Sequence, residues 1–278
     1  MLKRIITGAG YVVVMLAVFL LREFVDYRAF HLFTLFITVV GTFEAARAVT
    51  PWAIKGTFST AIIFSGLLVP IYLAVEYMIL GGYGFISAIL LIVLAVLVIG
   101  AICLIKKSGI KTFLVSALPF IYPAIFTVFM LCANEMGKDQ GFIVLLLSFV
   151  ISPYSDTLAY FVGSLIGGKK LCPKLSPKKT WSGAIGGTVG GAIGAVLVYF
   201  IFKSRISVNF FSPLLLFVLI GVVGSIVGIF GDLFESFIKR RAGIKDMGNL
   251  LPGHGGVLDR VDSTLFLVTF LYLIFLIV

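Results

Sequence analysis

The stretch Phe85–Ile105 reads FISAILLIVLAVLVIGAICLI, 21 residues without one charged side chain. A helix of that length rises about 30 Å, the thickness of a bilayer's hydrocarbon core. It is apolar on every side, so it reads as a membrane span rather than as a helix that shows one face to water. Eight further segments follow the pattern: Ile5–Leu21, Ala29–Val49, Thr57–Val75, Thr112–Ala133, Phe142–Ile166, Gly183–Phe202, Phe210–Ile238 and Leu258–Val278. Of the 278 residues 60% are hydrophobic and 12% charged, whereas a soluble domain carries roughly 25% charged residues. The chain is expected to be an all-α polytopic membrane protein with about nine transmembrane helices.

The net charge is +10, and its distribution explains it. With a cytoplasmic N-terminus and nine spans, 17 of the 22 basic residues fall on the cytoplasmic side and 5 on the other. That is the asymmetry of the positive-inside rule, reinforced by attraction to anionic membrane lipids. It predicts an outward C-terminus and gives no support to nucleic-acid binding. The first segment has a signal peptide's basic start, but Leu20-Leu21-Arg22-Glu23 follows where a small-residue cleavage site would stand, so it reads as a retained helix. Three widely spaced cysteines, Cys103, Cys132 and Cys172, show neither a disulfide framework nor zinc spacing.

Loop character divides the chain. Residues 1–134 form short-looped helices in which little beyond Glu44 and Glu76 is polar, and they read as scaffold. In residues 135–278 acids enter the helices and the two longest cytoplasmic loops appear, 167–182 and 239–257, so this part reads as catalytic. Two rows of glycine at four-residue spacing, Gly183/Gly187/Gly191 and Gly186/Gly190/Gly194, lie inside one apolar segment. There the spacing means close helix packing rather than a phosphate loop, and the rows would also suit a homodimer interface.

Carboxylates inside a bilayer are costly, about 3 kcal/mol at the centre, so they usually face a cavity and have work to do. Asp156 lies ten residues before the end of its segment at Ile166, roughly 15 Å deep, and Asp232 six residues before Ile238, about 9 Å deep. The uninterrupted apolar stretch Leu265–Val278 has 14 residues, about 21 Å, too short to cross. The last helix must therefore begin near Leu258, which puts Asp259 and Asp262 one turn apart on one face at the cytoplasmic boundary. Acids converging beside lysines and arginines suit phosphoryl or nucleotidyl transfer, in which Mg²⁺ takes one or two carboxylates plus phosphate oxygens. Before them stands Pro252-Gly253-His254-Gly255-Gly256, whose glycines let backbone approach a phosphate. Pro153, just ahead of Asp156, is expected to break its helix ladder and open a polar pocket. The loop 167–182 ends in Ser176-Pro177-Lys178-Lys179-Thr180, charge and hydroxyl beside a helix N-terminus.

From Ser236 to Asp262 the sequence reads SFIKRRAGIKDMGNLLPGHGGVLDRVD, and SDTLAYFVG surrounds Asp156. With SPKKT, these stretches resemble the phosphatidate cytidylyltransferase (CDP-diacylglycerol synthase) family, in motif from Ser152 onward and in topology over the whole chain. Ser182 departs from the pattern, which usually places an acid after SPKKT-Trp. The resemblance implies transfer of CMP from CTP to phosphatidic acid with release of pyrophosphate, at the cytoplasmic face of a bacterial inner membrane. It implies a Mg²⁺ site built by Asp232, Asp259 and Asp262, with Asp156 toward a second cation such as K⁺ or toward the CTP base and ribose. Lys239, Arg240, Lys245 and Arg260 would hold the triphosphate or the leaving pyrophosphate, with His254, Gly255 and Gly256 shaping the pocket and Asp246 orienting one of the bases. Lys178, Lys179 and Thr180 complete its wall. Two other readings stand beside it: a CTP-dependent kinase of a membrane prenol, which would release CDP, and an ion-coupled secondary transporter, against which stand the missing internal repeat and the crowding of acids on one side.

Overall fold

A computed structural model describes residues 2–79, 81–208 and 210–278, with the side chains of residues 2–6, Lys3 and Arg4 among them, outside the description. Helices dominate: α1 (Leu2–Phe24), α2 (Ala29–Val49), α3 (Thr57–Ala74, ending in a π-turn at Val75–Ile79), α4 (Gly84–Ile105), α5 (Ile110–Ile121), α6 (Ala124–Asn134), α7 (Lys138–Ile166), α8 (Trp181–Phe202), α9 (Pro213–Arg241) and α10 (Leu258–Phe275). Eight helical segments among the described residues are long and apolar enough to cross a membrane. Large apolar side chains stand exposed along them, Leu90, Leu94 and Leu97 on α4 for example, as lipid-facing surfaces require. The chain is an all-α polytopic membrane protein. The ninth expected span is present as helix α10, but Asp259, Arg260 and Asp262 in its first turns keep it outside those eight.

Three local expectations are corrected. The segment Thr112–Ala133 is not one helix but α5 and α6, separated at Tyr122-Pro123. Pro123 has no N–H and disfavours helical backbone at the residue before it, and Tyr122 is extended with φ −112° and ψ 120°. Pro153, in contrast, does not interrupt α7, which runs unbroken through it; a 29-residue helix tolerates one missing bond when neighbours pack around it. The loop 167–182 contains a small antiparallel hairpin, β1 (Lys170–Cys172) and β2 (Ser176–Thr180), with Lys170 opposite Thr180 and Cys172 opposite Ser176.

The chain divides into two compact units, Met1–Cys132 with Ala242–Arg260, and Ala133–Arg241 with Val261–Val278. In the first, an apolar cluster around Ala46, Ala61, Ala95, Ile99 and Phe120 ties α2 to α5 together. The second is organised by glycine. A Cβ on Gly190 would lie 2.5 Å from the backbone oxygen of Tyr154 of α7, and one on Gly191 would lie 2.8 Å from the backbone oxygen of Gly221 of α9. Both glycine rows therefore let α7, α8 and α9 touch backbone to backbone within the chain.

Candidate active site

In the second unit the site grows from the hairpin. Trp181 N–H donates to Lys169 O at 3.0 Å and Ser182 Oγ to Gly167 O, closing the hairpin at its base. Ser182 thus has a local structural job where an acid is usual. Thr180 Oγ1 accepts from Gly183 N–H at 3.0 Å and caps α8, so part of its hydrogen-bonding capacity belongs to the helix. The alternation of β2 sends Lys178 and Lys179 to different environments: Lys178 is exposed, while Lys179 turns inward and pairs with Asp232 of α9. Between α7, α8 and the hairpin lies a cleft of about 420 Å³, lined by Asp156, Lys170, Lys178, Lys179 and Thr180 among others. Asp156 is exposed into it, on the same cleft as the lysine that holds Asp232.

Below that lysine the carboxylates gather. Glu235 is fully buried one turn after Asp232 and accepts from Lys239 Nζ at 3.2 Å. Asp262, only 9% exposed, lies within hydrogen-bonding reach of Glu235 and feels the charge of Asp232. Its own Oδ1 accepts from Ser263 N–H at 2.7 Å, and Ser263 Oγ fixes the helix start by donating to Gly228 O at 2.9 Å. Gly231 permits this approach, since a Cβ there would sit 2.9 Å from Asp262 O. Two acids sharing one buried spot cannot both stay ionised without positive charge between or beside them. Lys179 and Lys239 supply part of that charge. The donors are all oxygen, the set that hard cations such as Mg²⁺ prefer. Among the described residues no group of three His, Cys, Asp or Glu is already drawn into metal geometry, and the lysine pairs occupy Asp232 and Glu235 here. The donor set itself fits a Mg²⁺ ion.

The first unit holds the other polar cluster. Residues 242–260 form no regular element until α10 starts at Leu258; the chain doubles back through the single bridge Leu251–Gly255, with Gly253 and Gly255 at φ 77° and 86°. Around this turn a pocket of about 480 Å³ is lined by Lys245, Asp246, His254, Gly255 and Arg260 with their neighbours. Asp259 has one oxygen already engaged: Oδ2 accepts from Met247 N–H and Gly256 N–H, each at 2.8 Å. The Gly256 amide therefore faces a carboxylate of its own chain. On α9, Arg240 is exposed and its Nε donates to Leu175 O at the hairpin turn, 3.4 Å away.

Two residues escaped the sequence reading. Glu235 carried a signal, since it lies three residues after Asp232 and four before Lys239, the spacing of one helix face. Glu44 carried none beyond being an acid inside a span; it is 3% exposed and meets the loop more than 200 positions away.

Several bacterial proteins resemble this chain over part of its length. The phosphatidate cytidylyltransferase of Helicobacter pylori (strain ATCC 700392 / 26695) is 37% identical over 151 residues, 54% of this chain and 52% of that protein. The Thermotoga maritima protein of the same name is 36% identical over 166 residues, 59% of this chain and 60% of its own length. The one from Bacillus subtilis (strain 168) is 38% identical over 118 residues, 42% of each. The matched stretch thus spans about half the length of these relatives. The cytidylyltransferase family itself matches residues 2–278, and with that reach the chain belongs to the cytidylyltransferase family.

Proposed function

We propose that this protein transfers CMP from CTP to phosphatidic acid, giving CDP-diacylglycerol and pyrophosphate, at the cytoplasmic face of a bacterial inner membrane. The observation that carries the reading is the pair of buried acids Glu235 and Asp262 beside Asp232, with Lys179 and Lys239 reaching in. Such a cluster is costly in a membrane protein and is maintained for chemistry on anionic, cation-bound substrates. The relatives' names supply the substrates.

An oxygen of the phosphatidate monoester attacks the α-phosphorus of CTP. A new P–O bond forms as the bond to the oxygen bridging the α- and β-phosphorus breaks, and pyrophosphate leaves with the electron pair. A monoester with its second pKa near about 6 is already ionised, so no strong base is needed. Lys245, His254 and Arg260 receive the triphosphate, with Lys239 and Arg240 on the departing pyrophosphate, and Asp246 orients a neighbouring base. Gly255 keeps that pocket free of a side chain, while Gly256 makes room for the acids beneath it. Lys178, Lys179 and Thr180 wall the cleft in which the lipid phosphate waits. Asp232, Asp259 and Asp262 would hold Mg²⁺, and Asp156 would face a second cation such as K⁺ or the nucleoside. When bound, the ion offsets charge on the phosphoryl oxygens.

The test uses detergent-purified protein with Mg²⁺, phosphatidic acid and CTP labelled at the α- or the γ-phosphate. Label in the lipid product from α-labelled CTP alone is expected. Lipid label from γ-labelled CTP, with release of CDP, would make the protein a kinase.

A further inference from the structure

We infer that Glu44, buried near the C-terminal end of helix α2, is the positioning residue for the nucleotide end of this reaction. The inference rests on the proposed reading of Lys245, His254 and Arg260 as the triphosphate holders. Glu44 Oε1 accepts from Val257 N–H at 3.0 Å and Oε2 from Leu258 N–H at 2.8 Å. These are orphan amides at the start of α10, where a carboxylate also meets the positive end of the helix dipole. Asp259 gathers Met247 N–H and Gly256 N–H from the other side. Four backbone amides, at both ends of the loop 247–258, thus converge on two carboxylates.

Glycine at 248 and 256 belongs to the same construction. A Cβ at either position would overlap the Glu44 carboxylate, and neither residue has the positive φ that would by itself require glycine. Both are glycine because the acid occupies the space. A cap serving stability alone needs one or two amides; this one clamps the segment that carries Arg260 on one side and His254 on the other. Loop geometry, and through it the fit of the triphosphate, depends on a carboxylate at position 44.

The experiment uses the full-length protein in detergent and compares Glu44→Gln, Gly248→Ala and the double variant Glu44→Asp/Gly248→Ala. Glu44→Gln keeps the side chain's size but turns one acceptor into a donor facing a backbone N–H. Loss of a charged hydrogen bond of this kind corresponds to about tenfold or more. Hydrogen exchange at residues 247–258 is expected to accelerate about tenfold in Glu44→Gln and in Gly248→Ala. The KM for CTP is expected to rise by a similar factor, with the KM for phosphatidic acid within about twofold of wild type. The shorter acid of the double variant makes room for the added methyl and is expected to recover most of the loss. Unchanged exchange in Glu44→Gln, or lower turnover with both KM values unchanged, would overturn the inference, the second because a merely structural cap removes active molecules without altering the rest. If the wild-type protein formed no CDP-diacylglycerol, the proposed reaction would fall, and the exchange measurement would still decide whether Glu44 holds the loop.

Discussion

The two polar clusters use the same residue types in opposite ways. In the second unit, acids and bases are side chains projecting from regular helices and a hairpin: Asp232 meets Lys179, and Glu235 meets Lys239. In the first unit, the acids Glu44 and Asp259 meet backbone amides, and the irregular loop they hold presents Lys245 and His254 beside Arg260 in the first turn of α10. A helix keeps its shape by its own ladder, so its side chains are free for charge chemistry. A loop has no such ladder and needs carboxylates to fix its orphan amides. Aspartate therefore means different things at 232 and at 259, and substitution separates the two.

The largest effect is expected in the helix-borne cluster. Asp232→Asn or Asp262→Asn should lower kcat/KM about a thousandfold, about 4 kcal/mol of transition-state stabilisation, with hydrogen exchange in the loop 247–258 unchanged. The double variant should lose little more than either single one, because the groups act as a unit. Activity within tenfold of wild type for either would remove that residue from the cation site. Asp259→Asn should cost about a hundredfold in activity and, unlike the first two, also speed exchange at Met247 and Gly256. A variant that lost activity while its loop stayed as protected as wild type would erase the distinction between the clusters.

Smaller consequences follow at the edges. Asp156→Asn should lower turnover about tenfold and alter its dependence on added K⁺. Near-normal turnover with normal cation dependence would make Asp156 a structural residue of the cleft. Arg240→Ala should cost about fivefold through the lost contact to the departing pyrophosphate, while the hairpin keeps its own strand pairing without the contact to Leu175 O. Activity indistinguishable from wild type would remove Arg240 from the pyrophosphate.

Much of this was legible in the chain. The bounds Ala29–Val49 were readable to the residue from hydropathy alone, and the start of α10 at Leu258, with Asp259 and Asp262 in its first turns, from the length a crossing helix needs. Other features were hidden for physical reasons. Hydropathy measures burial in lipid and does not register backbone continuity, so Thr112–Ala133 looked whole although Pro123 divides it. Prolines carry different meanings by context, and Pro153 sits inside a helix whose packing holds it straight through the missing bond. The hairpin escaped because its strands have three and five residues and their lysines satisfy the positive-inside pattern equally well as a loop. Glu44 was visible as an anomaly, but its partners are backbone amides, which leave no mark in the sequence. Gly256 reads in the sequence as room for a phosphate, whereas the side chain it accommodates, together with Gly248, is Glu44.

The central claim is direct attack of the phosphatidate oxygen on the α-phosphorus of CTP. Phosphatidic acid carrying heavy oxygen in its phosphate group tests it in one turnover measurement, with both products weighed by mass spectrometry. The account predicts that all of the label stays in CDP-diacylglycerol and that the pyrophosphate released with it carries none. Labelled pyrophosphate, or CDP appearing in place of pyrophosphate, would contradict it.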